Sequence, residues 1–310
     1  IAEFVDTSDE WIRERTGIEQ RRWFNPDTDT VANMATKATN LALERAGIKA
    51  SEIDFIVFAT ITPDYFFPGS GVLLQRELGL QGIGAIDLRN ACSGFIYGLS
   101  VADSFIKSGM YKTVLVVGAE IQSSALDKTT AGRNTNVIFA DGAGAMLLQA
   151  TEDPEHSVLS THLHADGDHA EELYVRDPGS SRKLRLSKEN AEDDSFKVHM
   201  NGNFVFKHAV VRFQEVINEA LEANGLQISD IDLLIPHQAN LRISQFVQKK
   251  LGLSDEHVFN NIMTIGNTTA ASIPIAISEA WEQGKIKSDD LVCLAAFGSG
   301  FTWASALIRW

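Results

Sequence analysis

Short apolar runs alternate with longer stretches of helical periodicity along most of this chain. Ala85–Leu88 has the composition of a strand, and the stretch from Ser93 to about Ser108 has the pattern of a helix. Val114–Val117 and Leu291–Ala296 are apolar throughout, as is typical of strands buried in a core. Strands that alternate with helices predict an α/β fold with helices packed around mainly parallel sheets.

One part of this pattern occurs twice. Ala42–Val57 and Ala220–Ile235 each read as a helix, a glycine stop, a short loop and a buried strand. At an offset of 178 residues they share Ala, Leu, Glu, Gly, Ser, Ile and Asp at matching positions. The same offset superposes Val114–Val117 on Val292–Ala295. Because one offset serves separate stretches, we predict that one architectural unit is used twice.

The duplication divides the chain into two halves, residues 1–157 and residues 158–310. Between Asp166 and Asp194 the sequence is polar, charged and glycine-containing, so this segment is predicted to be a loop-rich connection on the surface.

Cys92 lies on a turn between the predicted strand and helix of the first half. A thiol at the start of a helix faces unpaired backbone N–H groups and the positive end of the helix dipole, which favour the thiolate. Its neighbours Asn90, Ser93 and Gly94 are turn-forming residues. Cys92 is therefore a candidate nucleophile, the alternative being a small buried hydrophobe. Cys293, inside an apolar strand, is predicted to be such a core residue.

Two polar motifs of the second half complete a constellation. Pro236–Asn240 supplies His237, and Gly266–Ser272 supplies Asn267, each in a turn or near the end of a strand-like segment. The 178-residue offset places the Cys92 turn opposite Ala270, beside Asn267. An active site at the junction of the two halves follows.

Composition limits the class of protein. The 310 residues are 44% hydrophobic and 22% charged, as in an ordinary globular protein. A formal net charge of −14 disfavours nucleic acid and anionic membranes as partners. No apolar run approaches the roughly 18 residues that span a bilayer, and two cysteines suit a reducing compartment. We expect a cytoplasmic protein whose natural chain extends beyond Ile1, because the sequence opens without a Met.

Taken in order, seven motifs resemble β-ketoacyl-acyl-carrier-protein synthase III, a condensing enzyme of the thiolase superfamily. They run from the first residues to the last: Val5–Trp11, Arg15–Ile18, Ala91–Phe95, Phe139–Gly144, Pro236–Asn240, Gly266–Thr268 and Phe297–Trp303. The resemblance implies a thiolase-like fold, an internally duplicated α-β-α-β-α layered architecture. Family members carry a further strand ahead of the first motif, which this sequence lacks.

The resemblance also implies roles for the constellation. Cys92 would accept the acyl group, and the backbone N–H groups of Cys92 and Ser299 would form the oxyanion hole. Relatives often have Gly where Ser299 stands, but Ser keeps the N–H. His237 and Asn267 would donate hydrogen bonds to the carbonyl of a malonyl thioester and stabilise the enolate that forms when carbon dioxide leaves.

Further residues match the family's binding contacts. The set implied for coenzyme A is Thr7, Trp11, Arg15, Arg133 and Asn240, the last of which alternatively supports His237. Phe67 resembles the aromatic residue that reaches the acyl pocket of the partner subunit in a homodimer, although Phe66–Pro68 would equally suit a buried turn.

A carrier protein is acidic, so its docking needs a local basic face. Arg242, Lys249 and Lys250 lie on Leu241–Leu251, whose pattern is helical, at spacings that place them on one side. Lys207 extends this predicted patch, and the alternative is a solvated helix face.

Two tempting signals carry no site. His162, His164 and His169 lack the carboxylate spacing of a standard metal centre. The glycine pairs near Gly142 and Gly298 lack the third glycine of a dinucleotide fingerprint. We expect no metal and no resident cofactor, coenzyme A thioester being a substrate.

The leading interpretation is a decarboxylating condensation of a short acyl-CoA, such as acetyl-CoA, with malonyl-acyl carrier protein. It gives 3-oxoacyl-acyl carrier protein, carbon dioxide and CoA, and initiates type II fatty acid biosynthesis. The alternatives are a relative with another starter or acceptor in polyketide or alkylquinolone-type biosynthesis, a Cys-His-Asn hydrolase, and an inert scaffold. Primer length and branching are not readable from the sequence.

Overall fold

A computed structural model describes residues 1–153, 155–181, 187 and 194–310. The strands are β1 Phe55–Ala59, β2 Gly84–Leu88, β3 Thr113–Glu120, β4 Gly142–Gln149, β5 Ser157–Ala165, β6 Leu173–Tyr174, β7 His199–Met200, β8 Leu233–Pro236, β9 Leu291–Gly298 and β10 Thr302–Arg309. The α-helices are α1 Asp9–Thr16, α2 Val31–Ala46, α3 Ser70–Glu77, α4 Gly94–Lys107, α5 Arg133–Asn136, α6 Gly202–Ala223, α7 Leu241–Leu251, α8 Ile262–Ile265 and α9 Ser272–Glu282.

Two four-stranded sheets form the frame, in the orders β2-β1-β3-β4 and β5-β10-β9-β8. The prediction of mainly parallel sheets is wrong for the second sheet. There only β8 and β9 are parallel, whereas β10 runs antiparallel to both β9 and β5. The reason is connectivity, since the residues between β9 and β10 are too few for the crossover that parallel strands need. In the first sheet β1 pairs in parallel with β2 and β3, and β4 is antiparallel to β3.

The sheets lie within five layers, and the strands alternate their side chains between them. On β1, Ile56 and Phe58 pack with α2 and α3 on the outside, whereas Val57 faces the centre. Helices α4 and α9 fill the space between the sheets. On β9, Cys293 packs outward against α6 and α7 while Leu294 faces the centre. The chain therefore has the α-β-α-β-α order, and Cys293 is a core residue as expected.

Several elements of the two halves coincide at the 178-residue offset. Strand β3 matches β9 end for end, and helices α4 and α9 both begin one residue after a single 3₁₀ turn. Those turns are Ala91–Ser93 and Thr269–Ala271, and each opens on a non-glycine residue with positive φ, 45° at Ala91 and 52° at Thr269. The left-handed conformation is costly for such residues, so its recurrence shows that both halves keep the same turn.

The predicted loop-rich connection is only partly irregular. Gly167–Glu172 forms a 3₁₀ segment, and β6 pairs with β7 to make a small two-stranded sheet. Leu173 packs against the outer core of the second sheet. Residues 182–186 and 188–193 lie outside the described residues.

Candidate active site

Cys92 lies where two cavities meet. One, of about 710 Å³, is also lined by His237 and Asn267. The other, of about 700 Å³, is also lined by Phe66 and Gln122. The structure therefore brings together the three residues of the predicted constellation at the junction of the two halves, with one cavity on each side of the thiol.

Strand β9 passes directly behind the nucleophile turn. A Cβ atom built at Gly298 would lie 2.5 Å from Cys92 Cβ and 2.8 Å from Cys92 Sγ, so only glycine leaves room for the thiol. The backbone N–H groups of Ser299 and of Cys92 itself both reach the sulfur. These two N–H groups, which lie beside the thiol, are the pair that the resemblance implies for the oxyanion hole.

The charge state of Cys92 differs from the expectation. Burial, with a smaller contribution from Glu120, raises the pKa of the Cys92 thiol to about 12, although the two N–H groups oppose the shift. The prediction that the helix terminus favours a thiolate is therefore wrong. The turn gives the thiol two donors, but loss of solvent outweighs them.

His237 is buried and neutral. Burial lowers its pKa to about 3. Its Nδ1 lies 2.6 Å from the hydroxyl of Ser272, which accepts a hydrogen bond from the Gln238 N–H at 3.4 Å. The hydroxyl proton is then free for Nδ1, which leaves the imidazole proton on Nε2. Among the described residues Nε2 has no hydrogen-bond partner, so it is a donor available to a ligand in the cavity.

Asn267 presents its amide nitrogen in the same way. Its Oδ1 accepts the N–H of Thr269 at 2.9 Å, and its backbone bonds to Ile138 and Ala140 across the two halves. With the oxygen occupied, the NH₂ group is the part left for the cavity. The site therefore combines one thiol with two neutral donors from separate side chains.

Two guanidinium groups contact the ring of Trp11, which lines the first cavity. The centre of the Trp11 ring lies 4.3 Å from Arg15 Cζ and 4.9 Å from Arg133 Cζ. Arg133 also donates to the Asp6 carbonyl at 3.1 Å. Nearby in sequence, the buried Thr7 hydroxyl has no partner among the described residues. An aromatic face beside two cations suits a nucleotide and its phosphates.

Asn240 has a structural role beside the cavity. Its Oδ1 caps helix α7 by accepting the Arg242 N–H at 2.9 Å, and its Nδ2 donates to the Arg15 carbonyl at 3.1 Å. Both side-chain atoms bond elsewhere than to His237, so the alternative in which Asn240 holds His237 is wrong. It lines the first cavity, as a contact to a bound thioester would.

Comparisons with known proteins decide the family. The 3-oxoacyl-[acyl-carrier-protein] synthase III model matches residues 86–167, and the model of its C-terminal domain matches residues 221–310, together more than half of the chain. A β-ketoacyl-[acyl-carrier-protein] synthase III from Xanthomonas campestris pv. campestris is 48% identical over 310 residues, covering 100% of this chain and 92% of the relative. This chain belongs to that family. It is an acyltransferase, as the sequence motifs indicated.

Further relatives agree with this assignment. A β-ketoacyl-[acyl-carrier-protein] synthase III from Paramagnetospirillum magneticum is 47% identical over 313 residues, covering 100% of this chain and 93% of the relative. The crystal structure of the Aquifex aeolicus synthase III matches with a TM-score of 0.91 at 43% identity, covering 100% of this chain and 93% of that chain. The thiolase-like fold expected from the sequence is confirmed.

In this synthase III the aromatic pair after β1 is open to solvent. Phe67 is 80% exposed and Phe66 52% exposed, so the alternative of a buried turn is wrong. Phe66, not Phe67, lines the second cavity of its own chain. Strand β2 forms one edge of the first sheet, next to β1.

The predicted basic patch lies on two adjacent helices. Arg242, Lys249 and Lys250 are exposed on α7, and Lys207 is exposed on α6. Between them the rings of Phe206 and Phe246 meet at 6.3 Å. Arg242 and Phe206 also line the first cavity, so this patch adjoins the entrance that leads to Cys92.

The histidines set aside in the sequence have other partners. His162 and His164 on β5 both reach Glu219 of α6, at 3.4 Å and 2.6 Å, and His169 packs against Phe204. Within the part of the chain that the structure describes, no cluster of His, Cys, Asp and Glu could hold a metal ion. Across the same residues, no helix is long and apolar enough to cross a membrane.

Four contacts of the site were not predicted from the sequence. Ser272 orients His237, Gly298 makes room for the thiol, and Glu120 lies buried near the nucleophile. The Ser299 hydroxyl, treated as neutral, donates to the Leu173 carbonyl and ties β6 to the oxyanion turn. A signal for two of them was available, because the 178-residue offset pairs Glu120 with Gly298.

Proposed function

We propose that this synthase III condenses a short acyl-CoA with malonyl-acyl carrier protein and so initiates fatty acid biosynthesis. All eight of the curated relatives compared, at 45–48% identity, carry the same name, which favours this reaction over a starter or acceptor from another pathway. The observation that carries the mechanism is the meeting of one thiol and two neutral donors in one cavity.

In the first half-reaction, Cys92 Sγ attacks the thioester carbonyl of acyl-CoA. The carbonyl oxygen gains negative charge where the N–H groups of Cys92 and Ser299 converge. The C–S bond to coenzyme A then breaks, and the thiol proton passes to the departing CoA sulfur. Because the free thiol is held protonated by burial, its proton leaves as the carbonyl is attacked rather than beforehand.

In the second half-reaction, the carboxylate of the malonyl group leaves as carbon dioxide. The electron pair of the broken C–C bond moves into the thioester, whose oxygen accepts hydrogen bonds from His237 Nε2 and Asn267 Nδ2. The enolate carbon attacks the acyl-Cys92 carbonyl, and the C–S bond breaks to release Cys92 as a thiolate, which takes up a proton from solvent and becomes the thiol again. This step requires donors and no general base, which fits an imidazole whose pKa is lowered to about 3. No resident cofactor takes part in this proposal.

The binding roles belong to the same proposal. Thr7, Trp11, Arg15 and Arg133 would hold the nucleotide of coenzyme A, with Asn240 beside its pantetheine arm. The acidic carrier protein would dock on Lys207, Arg242, Lys249 and Lys250, beside the entrance. A cytoplasmic location is proposed too, since both cysteines are free thiols, as a reducing compartment keeps them.

A homodimer is proposed from the edge of the first sheet. Tyr65, Phe66 and Phe67 are 56%, 52% and 80% exposed, and large aromatic side chains clustered on a surface mark an interface. Strand β2 is an edge strand of that sheet, and edge strands need cover. Two copies meeting there would bring Phe67 toward the partner's second cavity.

Separate measurement of the two half-reactions tests the mechanism. Cys92→Ala should abolish transfer of a radiolabelled acyl group to the protein. His237→Ala and Asn267→Ala should retain substantial transfer but slow the release of carbon dioxide from malonyl-acyl carrier protein by on the order of 10²–10³. Cys293→Ala is the matched control, because the second thiol is buried in β9 away from both cavities, and it should keep both steps.

The rival hydrolase makes the opposite prediction. If His237→Ala lost acyl transfer as completely as Cys92→Ala yet still released carbon dioxide, His237 would be the base for the thiol. Release of free acid without a new carbon–carbon bond would then identify a Cys-His-Asn hydrolase.

A further inference from the structure

Glu120 is a buried carboxylate that the proposed reaction does not use. It ends strand β3 and has no exposed surface. Its oxygens accept hydrogen bonds from the Thr62 hydroxyl at 2.6 Å, the Thr60 hydroxyl at 3.2 Å and the Ile61 N–H at 3.2 Å, and also from the Ala270 N–H. All four donors are uncharged, so the carboxylate is held without a salt bridge from any of them.

The duplication explains where this carboxylate lies. At the 178-residue offset, Glu120 corresponds to Gly298 and Ala270 corresponds to Cys92. Gly298 backs the Cys92 turn and leaves space for the thiol, whereas Glu120 backs the equivalent turn and accepts its N–H. The anion-binding amide of the second turn is thus occupied by a side chain of the protein.

The carboxylate connects two parts of the site. The Ala270 N–H follows Thr269, whose own N–H is bonded by Asn267 Oδ1. On the other side, Ile61 and Thr62 line the second cavity together with Cys92. Glu120 therefore clamps the segment that carries Asn267 to the loop that borders the acyl-side cavity.

Its charge also reaches the nucleophile. Burial raises the pKa of Glu120 to about 7, so its charge changes in the physiological range, and the negative form is one cause of the raised pKa of Cys92. The other titratable or charged groups lining the cavities around Cys92, among the described residues, are His237, Arg15, Arg89, Tyr174, Arg176, Asp177 and Arg242. Asp141, which accepts hydrogen bonds from the Ser123 N–H and hydroxyl, is the next buried carboxylate along the chain.

We propose that Glu120 is a positioning residue for the condensation: its oxygens fix the turn that carries Asn267 against the loop that borders the second cavity. The proposal depends on the roles of Cys92 and Asn267 proposed above. This position of the carboxylate has a consequence for Cys92, because a negative Glu120 opposes ionisation of the thiol.

The charge is tested by alkylation with iodoacetamide, which needs no substrate. Glu120→Gln keeps the shape, because its amide oxygen accepts from backbone N–H groups and its nitrogen donates to the threonine hydroxyls. We expect the Cys92 alkylation rate above pH 7 to rise by roughly tenfold for each unit by which the Cys92 pKa falls. Cys293 in the same molecule is the control, since burial alone raises its pKa, and its rate should stay unchanged.

Two results would overturn the charge effect. One is an unchanged Cys92 profile in Glu120→Gln; the other is an equal rise at Cys92 and Cys293, which would mean that the fold has only loosened. If the variant does not fold, the unmodified protein answers the question. Its Cys92 rate should climb less than tenfold per pH unit around pH 7, because Glu120 ionises there, and a constant tenfold slope contradicts the charge effect.

The clamp is tested separately with Glu120→Asp, which keeps the charge but shortens the reach. We expect its Cys92 alkylation profile to stay within about twofold of the unmodified protein while carbon dioxide release from malonyl-acyl carrier protein falls about tenfold or more. Full carbon dioxide release would refute the clamp. If the malonyl reaction were absent from the unmodified protein as well, the proposed function would fail, whereas the alkylation result would stand.

Discussion

Loss of solvent controls the charges of individual residues in this site. Burial raises the pKa of Cys92 and of Glu120 and lowers that of His237, so each group is pushed toward its neutral form. A neutral thiol, a neutral imidazole and an amide are what a condensation without a general base requires. The cost is a nucleophile that must lose its proton during attack.

The orientation of His237 depends on one hydroxyl. We expect Ser272→Ala to slow carbon dioxide release by about tenfold, because the imidazole then loses the donor that keeps its proton on Nε2. Acyl transfer to Cys92 should change little. The two half-reactions are measured as above, and Ser272→Thr, which restores the hydroxyl, should recover part of the rate. Equal loss in both half-reactions would indicate a general structural defect instead.

Residue identities in the site were predictable from the sequence, but their charge states were not. Cys92, His237 and Asn267 lie on turn motifs that can be recognised in the sequence. The helix-terminus argument for a thiolate considered only the local backbone, whereas the pKa depends on how completely distant elements exclude water. Ser272 lies 35 residues from His237, and nothing in either motif records that contact.

At the scale of elements, strand β9 is as much a part of the site as the turn that it backs. We expect Gly298→Ala to abolish acyl transfer, because the added methyl would overlap Cys92 Cβ and Sγ and force the strand away. Gly167→Ala is the matched control, since its Cβ would meet nothing within 4 Å. If Gly298→Ala transferred the acyl group at the rate of the control, β9 would be able to move away from Cys92 without loss of activity, and the prediction would be wrong.

Helix α7 separates docking from substrate binding along its own length. Its first residues line the first cavity, so Arg242 is not a clean probe, whereas Lys249 lies in the last turn. We expect Lys249→Glu to raise the KM for malonyl-acyl carrier protein about tenfold, through repulsion of an acidic partner, and to leave the KM for acyl-CoA unchanged. Lys285→Glu, with the same charge change on an exposed residue outside the patch, should alter neither. Equal effects on both substrates would refute docking at this helix.

The elements themselves were largely predictable, and their directions were not. Apolar runs located β9 and α4 to within two residues and β3 to within three, because burial imposes its period on the sequence. Whether a strand runs parallel or antiparallel depends on the length of the connection before it and on which edge it joins. β5, which joins β10 across the second sheet, carries no local mark of that pairing.

For the whole molecule, two buried groups oppose each other in the dependence of stability on pH. The unfolded chain protonates His237 near pH 6.5 while the folded one does not until about pH 3, so this residue costs stability as pH falls. Glu120 keeps its proton in the folded chain up to about pH 7, against 4.5 unfolded, so it costs stability as pH rises. Between pH 5 and 7 each effect amounts to about 2 kcal/mol, with opposite signs.

Single substitutions should separate the two opposing dependences of stability on pH. Going from pH 7 to pH 5, His237→Gln should gain about 2 kcal/mol in free energy of unfolding relative to the unmodified protein, and Glu120→Gln should lose about 2 kcal/mol. Urea unfolding at the two pH values measures both differences. Parallel stability curves for all three proteins would show that neither group has a shifted pKa in the folded state.

The pairing of Glu120 with Gly298 bears on how such an enzyme could arise. Two identical chains joined by a two-fold axis must carry the same residue behind both turns, either a carboxylate beside every cysteine or a glycine beside every one. Joining the copies on a single polypeptide removes that constraint, because each position is then encoded separately. The turn at Cys92 could then keep the space that the thiol needs, while the N–H of the other turn bonded to a carboxylate of the protein. The difference between Glu120 and Gly298 is thus available to two halves of one chain and not to two identical chains.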